Sequence, residues 1–258
     1  MEKIAGTLRE IERSKQITIL YACETGSRAW GFPSPDSDYD IRFIYRHSLE
    51  WYLELGHRKD TIEYPVNEDL DITGWDLRKS LLMLKKSNAA LIERFQSPVE
   101  YFSEPGFKTE FKNLIADYYS PTAVFYHHHS LAKKFRDEIE GKDKVKLKSY
   151  FYLLRSLLSC HWIIKDKMVV PMHIEGLMEK IEDERKHEIR QLIKLKAGVG
   201  EKYLHPAEKN MNAWIDELWE YIESSKNNLG VANKNYGALN DFFLRIINVH
   251  ADNRIDKK

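Results

Sequence analysis

The stretch ACETGSRAWGFPSPDSDYDIRFIY, Ala22 to Tyr45, decides how this chain is read. The apolar run Ile17 to Cys23 reads as a strand. It leads to Gly26-Ser27, where a small residue lets backbone N–H groups approach a phosphate. Arg28 follows with a cationic fork suited to phosphate oxygens. After a turn marked by Gly31, Pro33 and Pro35 comes SDYDIRFIY, in which Asp38 and Asp40 lie two residues apart and so project to one face of a strand. Two carboxylates on one face suit a hard cation, since magnesium takes oxygen ligands. Ile41, Phe43 and the apolar residues beyond carry Asp40 into a buried strand, which a merely solvated loop would not do.

Together these residues resemble the signature of the DNA polymerase beta-like nucleotidyltransferase superfamily, a Gly-Ser turn followed by an Asp-x-Asp strand, here Gly26, Ser27, Asp38 and Asp40. GSRAWGF, PDSDYD and DITGWDLRKSLLMLKKSNAALIERFQSP more closely resemble the YcgL-type nucleotidyltransferases, a family carrying an RNA-repair label. The likeness is strong through residue 100 and weaker beyond it. It implies an α+β fold: a polymerase beta-like core of a small mixed sheet with flanking helices, followed by an all-helical domain. It implies transfer of a nucleoside monophosphate from a nucleoside triphosphate to an acceptor hydroxyl, with release of pyrophosphate. The Gly-Ser turn would hold the triphosphate, and three carboxylates would hold two Mg2+ ions, with Mn2+ as a substitute. One ion lowers the pKa of the attacking hydroxyl while the other neutralises charge on the leaving pyrophosphate. The implied acceptors are RNA ends, small molecules such as aminoglycosides, and protein hydroxyls.

The third carboxylate belongs on a strand beside the Asp-x-Asp strand, and NEDLDITGWDLRK offers Asp69, Asp71 and Asp76. Asp71 opens the β-branched pair Ile72-Thr73 and fits a strand, so it is the choice. Asp69 shares its face by the period of two and stays open as an alternative. Asp76 precedes an apolar-periodic segment and reads as a helix cap.

Composition narrows the remaining classes. The 258 residues carry 40 Lys plus Arg against 40 Asp plus Glu, so no global field draws the chain to nucleic acid or to anionic membrane. Cys23 and Cys160 lie in apolar segments without CxxC or His-spaced partners and read as reduced core residues, which favours the cytoplasm. No segment reaches the roughly 20 apolar residues that a bilayer span needs, and the charged, amphipathic start does not read as a leader.

The organisation expected is a catalytic domain over residues 1–100 and a helical domain over residues 101–258 that closes the nucleotide cleft. Residues 3–14 form a helix by the spacing of Ile4, Leu8 and Ile11, Leu49 to Leu55 is a candidate helix, and Thr61 to Thr73 supplies strand around a polar turn. Asp76 to Phe95 reads as helix broken near Ser87-Asn88. Beyond Ser97-Pro98 helix signals dominate, including Ser120-Pro121 as a cap followed by proline and a long periodic segment from Lys144 to Asp166. In that segment Lys148, Tyr152, Arg155 and Ser159 align on one helix face. The resemblance makes Lys148, Tyr152 and Arg155 candidates for nucleotide binding, against the ordinary reading of a solvated face. Trp30 is either a base contact or an anchor for the turn. The triplet His127 to His129 cannot ligate one ion together, because adjacent helical residues point about 100° apart. The rival readings are a catalytically silent nucleotide-binding or antitoxin-like interaction module, and a phosphohydrolase using the same acids with water as acceptor.

Overall fold

The computed structural model describes residues 2–56, 58–67, 70–227, 229–230 and 235–248, with backbone alone at 65–67. In chain order the elements begin with α1 (Glu2–Lys15), β1 (Thr18–Thr25), α2 (Gly26–Trp30), β2 (Tyr39–Arg46), α3 (Leu49–Leu53), β3 (Thr61–Asn67), β4 (Leu70–Asp76), α4 (Leu77–Lys85), α5 (Ala89–Arg94), β5 (Glu100–Ser103) and α6 (Phe107–Tyr118). They continue with α7 (Pro121–Ile139), β6 (Lys144–Lys146), α8 (Leu147–Asp166), α9 (Ile174–Leu177), α10 (Asp183–Ala197), β7 (Leu204–Pro206), α11 (Lys209–Ser225) and α12 (Gly237–Asn248). The chain forms two compact units: Met1–Glu24, Tyr39–Tyr118 and Asn233–Lys258 make the first, Thr25–Asp38 and Tyr119–Ala232 the second. This division does not fall at residue 100. The Gly-Ser segment packs with the second unit, while α6 and α12 pack with the first.

The first unit is built on a mixed sheet of order β3-β4-β2-β1-β5, with β2 parallel to β4 and antiparallel pairing of β3 with β4 and of β1 with β5. Side chains alternate across a strand. On β2, Ile41, Phe43 and Tyr45 therefore point to one face, where they meet Ile4, Leu8 and Ile11 of α1 together with Ile19, Leu70 and Ile72. Asp40 and Arg42 are thrown to the opposite face. An aromatic column supports the sheet as well: Tyr21 stacks on Phe95 at 4.8 Å, and Phe95 on Phe111 at 4.2 Å. At the end of β4 the Asp76 carboxylate caps α4 by accepting the Arg78 N–H at 2.8 Å. Ser87, with φ of 52°, breaks the segment, and Asn88 starts α5 by accepting the Leu91 N–H at 2.9 Å. The α+β fold class agrees with the expectation.

In the second unit α7 starts at a Ser120 cap with Pro121 in its first turn, and α8 packs against α7 and α11. Two details depart from an all-helical second half. Residues expected to open a helix at Lys144 instead form β6, which pairs antiparallel with β7 so that Val145 stands opposite His205. Beyond Ser97-Pro98, β5 still joins the edge of the main sheet. Both strands are three or four residues long, too short for alternation to show before the partner strand is known. Among the described residues no helix is long and apolar enough to cross a membrane.

Gly74 lies opposite Phe43, and a Cβ added there would fall 2.2 Å from the Phe43 ring. Gly74→Ala is therefore expected to lower stability by about 1–3 kcal/mol, measured by urea unfolding. His47 stacks on Trp51 at 3.8 Å between ring centroids. Burial, helped by the Arg58 charge, pulls its pKa from 6.5 down to about 4. The folded state thus favours neutral His47, so its contribution is complete above pH 6.5 and is lost as pH falls toward about 4. His47→Phe keeps a stacking ring that does not titrate. Melting curves should show wild type losing ground to this variant between pH 6.5 and about 4, with a constant gap above that window.

Candidate active site

On the face of the sheet that carries its charges, the parallel register sets Asp40 of β2 directly opposite Asp71 of β4. Arg42, two residues along β2, lies between the two carboxylates. Its Nη2 donates to Asp40 Oδ1 at 3.1 Å and to Asp71 Oδ2 at 2.7 Å. Its Nη1 donates to the main-chain carbonyls of Asp71 at 2.8 Å and Ile41 at 3.1 Å. The three side chains are partly buried, at 19% exposure for Arg42, 29% for Asp40 and 38% for Asp71. A second guanidinium, Arg94, is buried with its Cζ 3.7 Å from the Trp75 ring centroid. Burial and the nearby Arg42 charge pull its pKa down to about 10.

Asp40 is also held from β1. Glu24, only 1% exposed, accepts the Asp40 backbone N–H at 2.7 Å and the Tyr101 hydroxyl through its other oxygen. Neither Arg42 nor Glu24 was among the residues expected from sequence. A signal existed for Arg42, because the strand period of two that directs Asp40 extends to residue 42. Glu24 showed only as an acid ending an apolar run, and its partners are sequence-distant.

Asp76 takes no part in this group. It is 1% exposed, accepts the Tyr52 hydroxyl at 2.6 Å and caps α4, and burial pushes its carboxyl above the usual range. Strand parity also directs it away from the face of Asp71. Asp69 lies outside the described residues. Asp40 and Asp71 offer oxygen ligands of the kind magnesium prefers and converge on one point, so they fit a hard cation in kind. Among the described residues no three His, Cys, Asp or Glu side chains gather into a metal-binding group.

The segment Thr25–Asp38 belongs to the second unit. Gly26 adopts φ of 64° and opens α2, and Gly31 ends it with φ of 92°. The Gly-Ser turn is thus the first turn of a five-residue helix. The Ser27 hydroxyl lies 3.1 Å from that of Ser37. The Arg28 guanidinium donates to the carbonyls of Ser37 at 2.7 Å and Asp38 at 3.2 Å, bracing the return of the segment. Asp38 itself is exposed and lies outside β2, which begins at Tyr39, so the strand expected to carry both Asp38 and Asp40 carries only Asp40.

The helix stripe holds this same segment. Arg155 is 4% exposed, with its Cζ 4.4 Å from the Trp30 ring centroid. Tyr152 meets Trp30 edge-on at 5.2 Å, and Phe32 stacks on Phe151 at 4.8 Å. Lys148 pairs with Glu201 at 2.7 Å, while Glu201 reaches Ser37 and its N–H binds Asp36. Lys196, 2% exposed, donates to Ser34 at 2.7 Å, and burial lowers its pKa. Trp30 is therefore an anchor of the segment. Of the histidine triplet, His129 pairs with Glu223.

A Bacillus subtilis (strain 168) protein described as uncharacterized protein YcgL is 39% identical over 226 residues, covering 86% of this chain and 84% of that protein. A crystal structure of the spectinomycin adenyltransferase AAD(9) from Enterococcus faecialis with ATP and spectinomycin overlays with a TM-score of 0.47 at 11% identity, covering 86% of this chain and 99% of that one. The model of the RNA repair pathway DNA polymerase beta family matches residues 1–245, well beyond the first hundred residues in which the resemblance is strong. Because that match spans the Gly-Ser segment, the paired acidic strands and the helices after them, the chain belongs to the RNA repair pathway DNA polymerase beta family and is a nucleotidyltransferase.

Proposed function

We propose that the chain moves a nucleoside monophosphate from a nucleoside triphosphate to an acceptor hydroxyl, in a reaction that depends on a divalent metal, magnesium or manganese. The observation that carries this reading is the register that sets Asp71 against Asp40, with both carboxylates at one guanidinium nitrogen. Asp38 and Asp40 are assigned to the metal, which when bound supplies positive charge to the phosphates, and Asp71 to the same acidic site, where it shares Arg42 with Asp40. Gly26 and Ser27 are assigned to the triphosphate through backbone N–H groups and a hydroxyl. Arg28, Tyr152 and Arg155 act on the nucleotide indirectly, by holding the Gly-Ser segment, and Lys148 holds Glu201 against it.

In the transfer the acceptor oxygen bonds to the α-phosphorus and the α–β bridging P–O bond breaks. The hydroxyl proton passes to a base and pyrophosphate leaves. The family description supports an RNA end as acceptor, and two buried, unpaired cysteines support a cytoplasmic setting. Incubation with each α-labelled nucleoside triphosphate, magnesium and separate pools of RNA, metabolites and protein tests the reading. Label on an RNA end with stoichiometric pyrophosphate is expected. Release of inorganic phosphate without label transfer would indicate a hydrolase, and no turnover of any nucleotide would indicate a binding module.

Asp38→Asn, Asp40→Asn and Asp71→Asn should each lower turnover by about 10²- to 10³-fold, the range for loss of one preorganised electrostatic group, with unchanged circular dichroism. Asp76→Asn should leave turnover within a few-fold of wild type, and a severe loss there would move the site. Arg155→Ala, which empties a buried stack on Trp30, should cost about 1–3 kcal/mol in urea unfolding. Lys148→Ala removes a partly exposed ion pair and should cost less than about 1 kcal/mol.

A further inference from the structure

A guanidinium occupies the point where the two facing carboxylates meet, and its attachment is unusual. If Arg42 were bonded only to Asp40 and Asp71, an arriving divalent ion could displace it by taking both carboxylates. Its other nitrogen, however, is tied to the main-chain carbonyls of Ile41 and Asp71 at 3.1 and 2.8 Å. Those acceptors belong to neighbouring strands of the sheet and do not move when a carboxylate changes partner. The guanidinium is thus fixed by the backbone as well as by charge. Arg94, buried against Trp75, adds a second fixed positive charge near Arg42.

We propose that Arg42 is a resident cation of the active site, standing between Asp40 and Asp71 in the place of a second divalent ion, so that the chain binds one divalent ion per nucleoside triphosphate. This rests on the transferase reading above and deepens it. An ion bridging the same two oxygens would lose ligand positions already taken by N–H donors, and would sit beside a like charge that cannot leave. The ion that accompanies the triphosphate is not subject to this conflict, because it draws most of its ligands from phosphate oxygens and water. Arg42 also fixes which way the two carboxylates turn, as outer partners do for metal-binding side chains. It is a positioning residue whose charge sets the metal count.

The test counts Mn2+ per bound nucleotide by equilibrium dialysis of the full-length chain with each of the four α,β-methylene ribonucleoside triphosphates. Wild type is expected to give a ratio of one. Arg42→Gln removes the charge and keeps a polar N–H donor on a shorter side chain. It is expected to give a ratio of two, and Arg42→Gln combined with Asp71→Asn to return to one. Without nucleotide, Arg42→Gln should bind Mn2+ at least roughly tenfold more tightly than wild type, because like charge no longer opposes the ion. A wild-type ratio of two overturns the proposal while leaving the transferase reading intact, and it does so even if the variant fails to fold. A folded Arg42→Gln protein with unchanged Mn2+ binding overturns it equally. If wild type binds none of the nucleotides, the transferase reading fails, and the nucleotide-free comparison alone decides the role of Arg42.

Discussion

Two carboxylates set opposite one another on adjacent parallel strands repel, and the arrangement persists only because a cation stands between them. Unit charges about 5 Å apart oppose each other by roughly 3 kcal/mol at an effective dielectric of about 20, a large fraction of the stability of an ordinary domain. Arg42 removes that penalty for Asp40 and Asp71 at bonding distances of 3.1 and 2.7 Å. Such a pair is sensitive to the loss of either partner, because a half-buried charge left alone is worse than no charge. Asp40, Arg42 and Asp71 therefore hold one another in place as a set.

The sheet makes this set possible by parity. Ile41, Phe43 and Tyr45 fill the core against α1, which fixes β2 with Asp40 and Arg42 on the opposite face. Slippage by one residue would bury the charges and expose the core, so the hydrophobic packing enforces the polar geometry. Gly74 contributes by letting the Phe43 ring lie against the β4 backbone, which holds the two strands in the register that pairs Asp40 with Asp71. Glu24 acts from the other side, clamping the Asp40 main chain through a carboxylate that is itself held by Tyr101.

The Gly-Ser segment is secured by a different kind of packing. Trp30 and Phe32 are set among Arg155, Tyr152 and Phe151, while Ser34, Asp36 and Ser37 are tied by hydrogen bonds to Lys196 and Glu201. Residues that look suited to gripping phosphates are engaged instead in holding a short helix and its return. These contacts reach the segment from α8, α10 and the turn at Glu201, so its conformation is set by residues far from it in sequence.

Much of this was legible in the residues themselves. The Asp38-x-Asp40 spacing, the Gly26-Ser27 turn, the Asp76 cap and the break at Ser87-Asn88 are local, and period and capping chemistry act over a few residues. Strand propensity alone put Asp71 on a strand, and the register sets it opposite Asp40. Tertiary structure alone decided what lies far apart in sequence or has no local period. It paired Val145 with His205, buried Glu24 beneath Asp40, assigned Arg155 to Trp30, and gathered residues from both ends of the chain into the first compact unit. It also decided the partner of Arg42. A guanidinium on the acidic face could have served solvent, phosphate or carboxylate, and only the arrival of β4 beside β2 brought Asp71 within its reach.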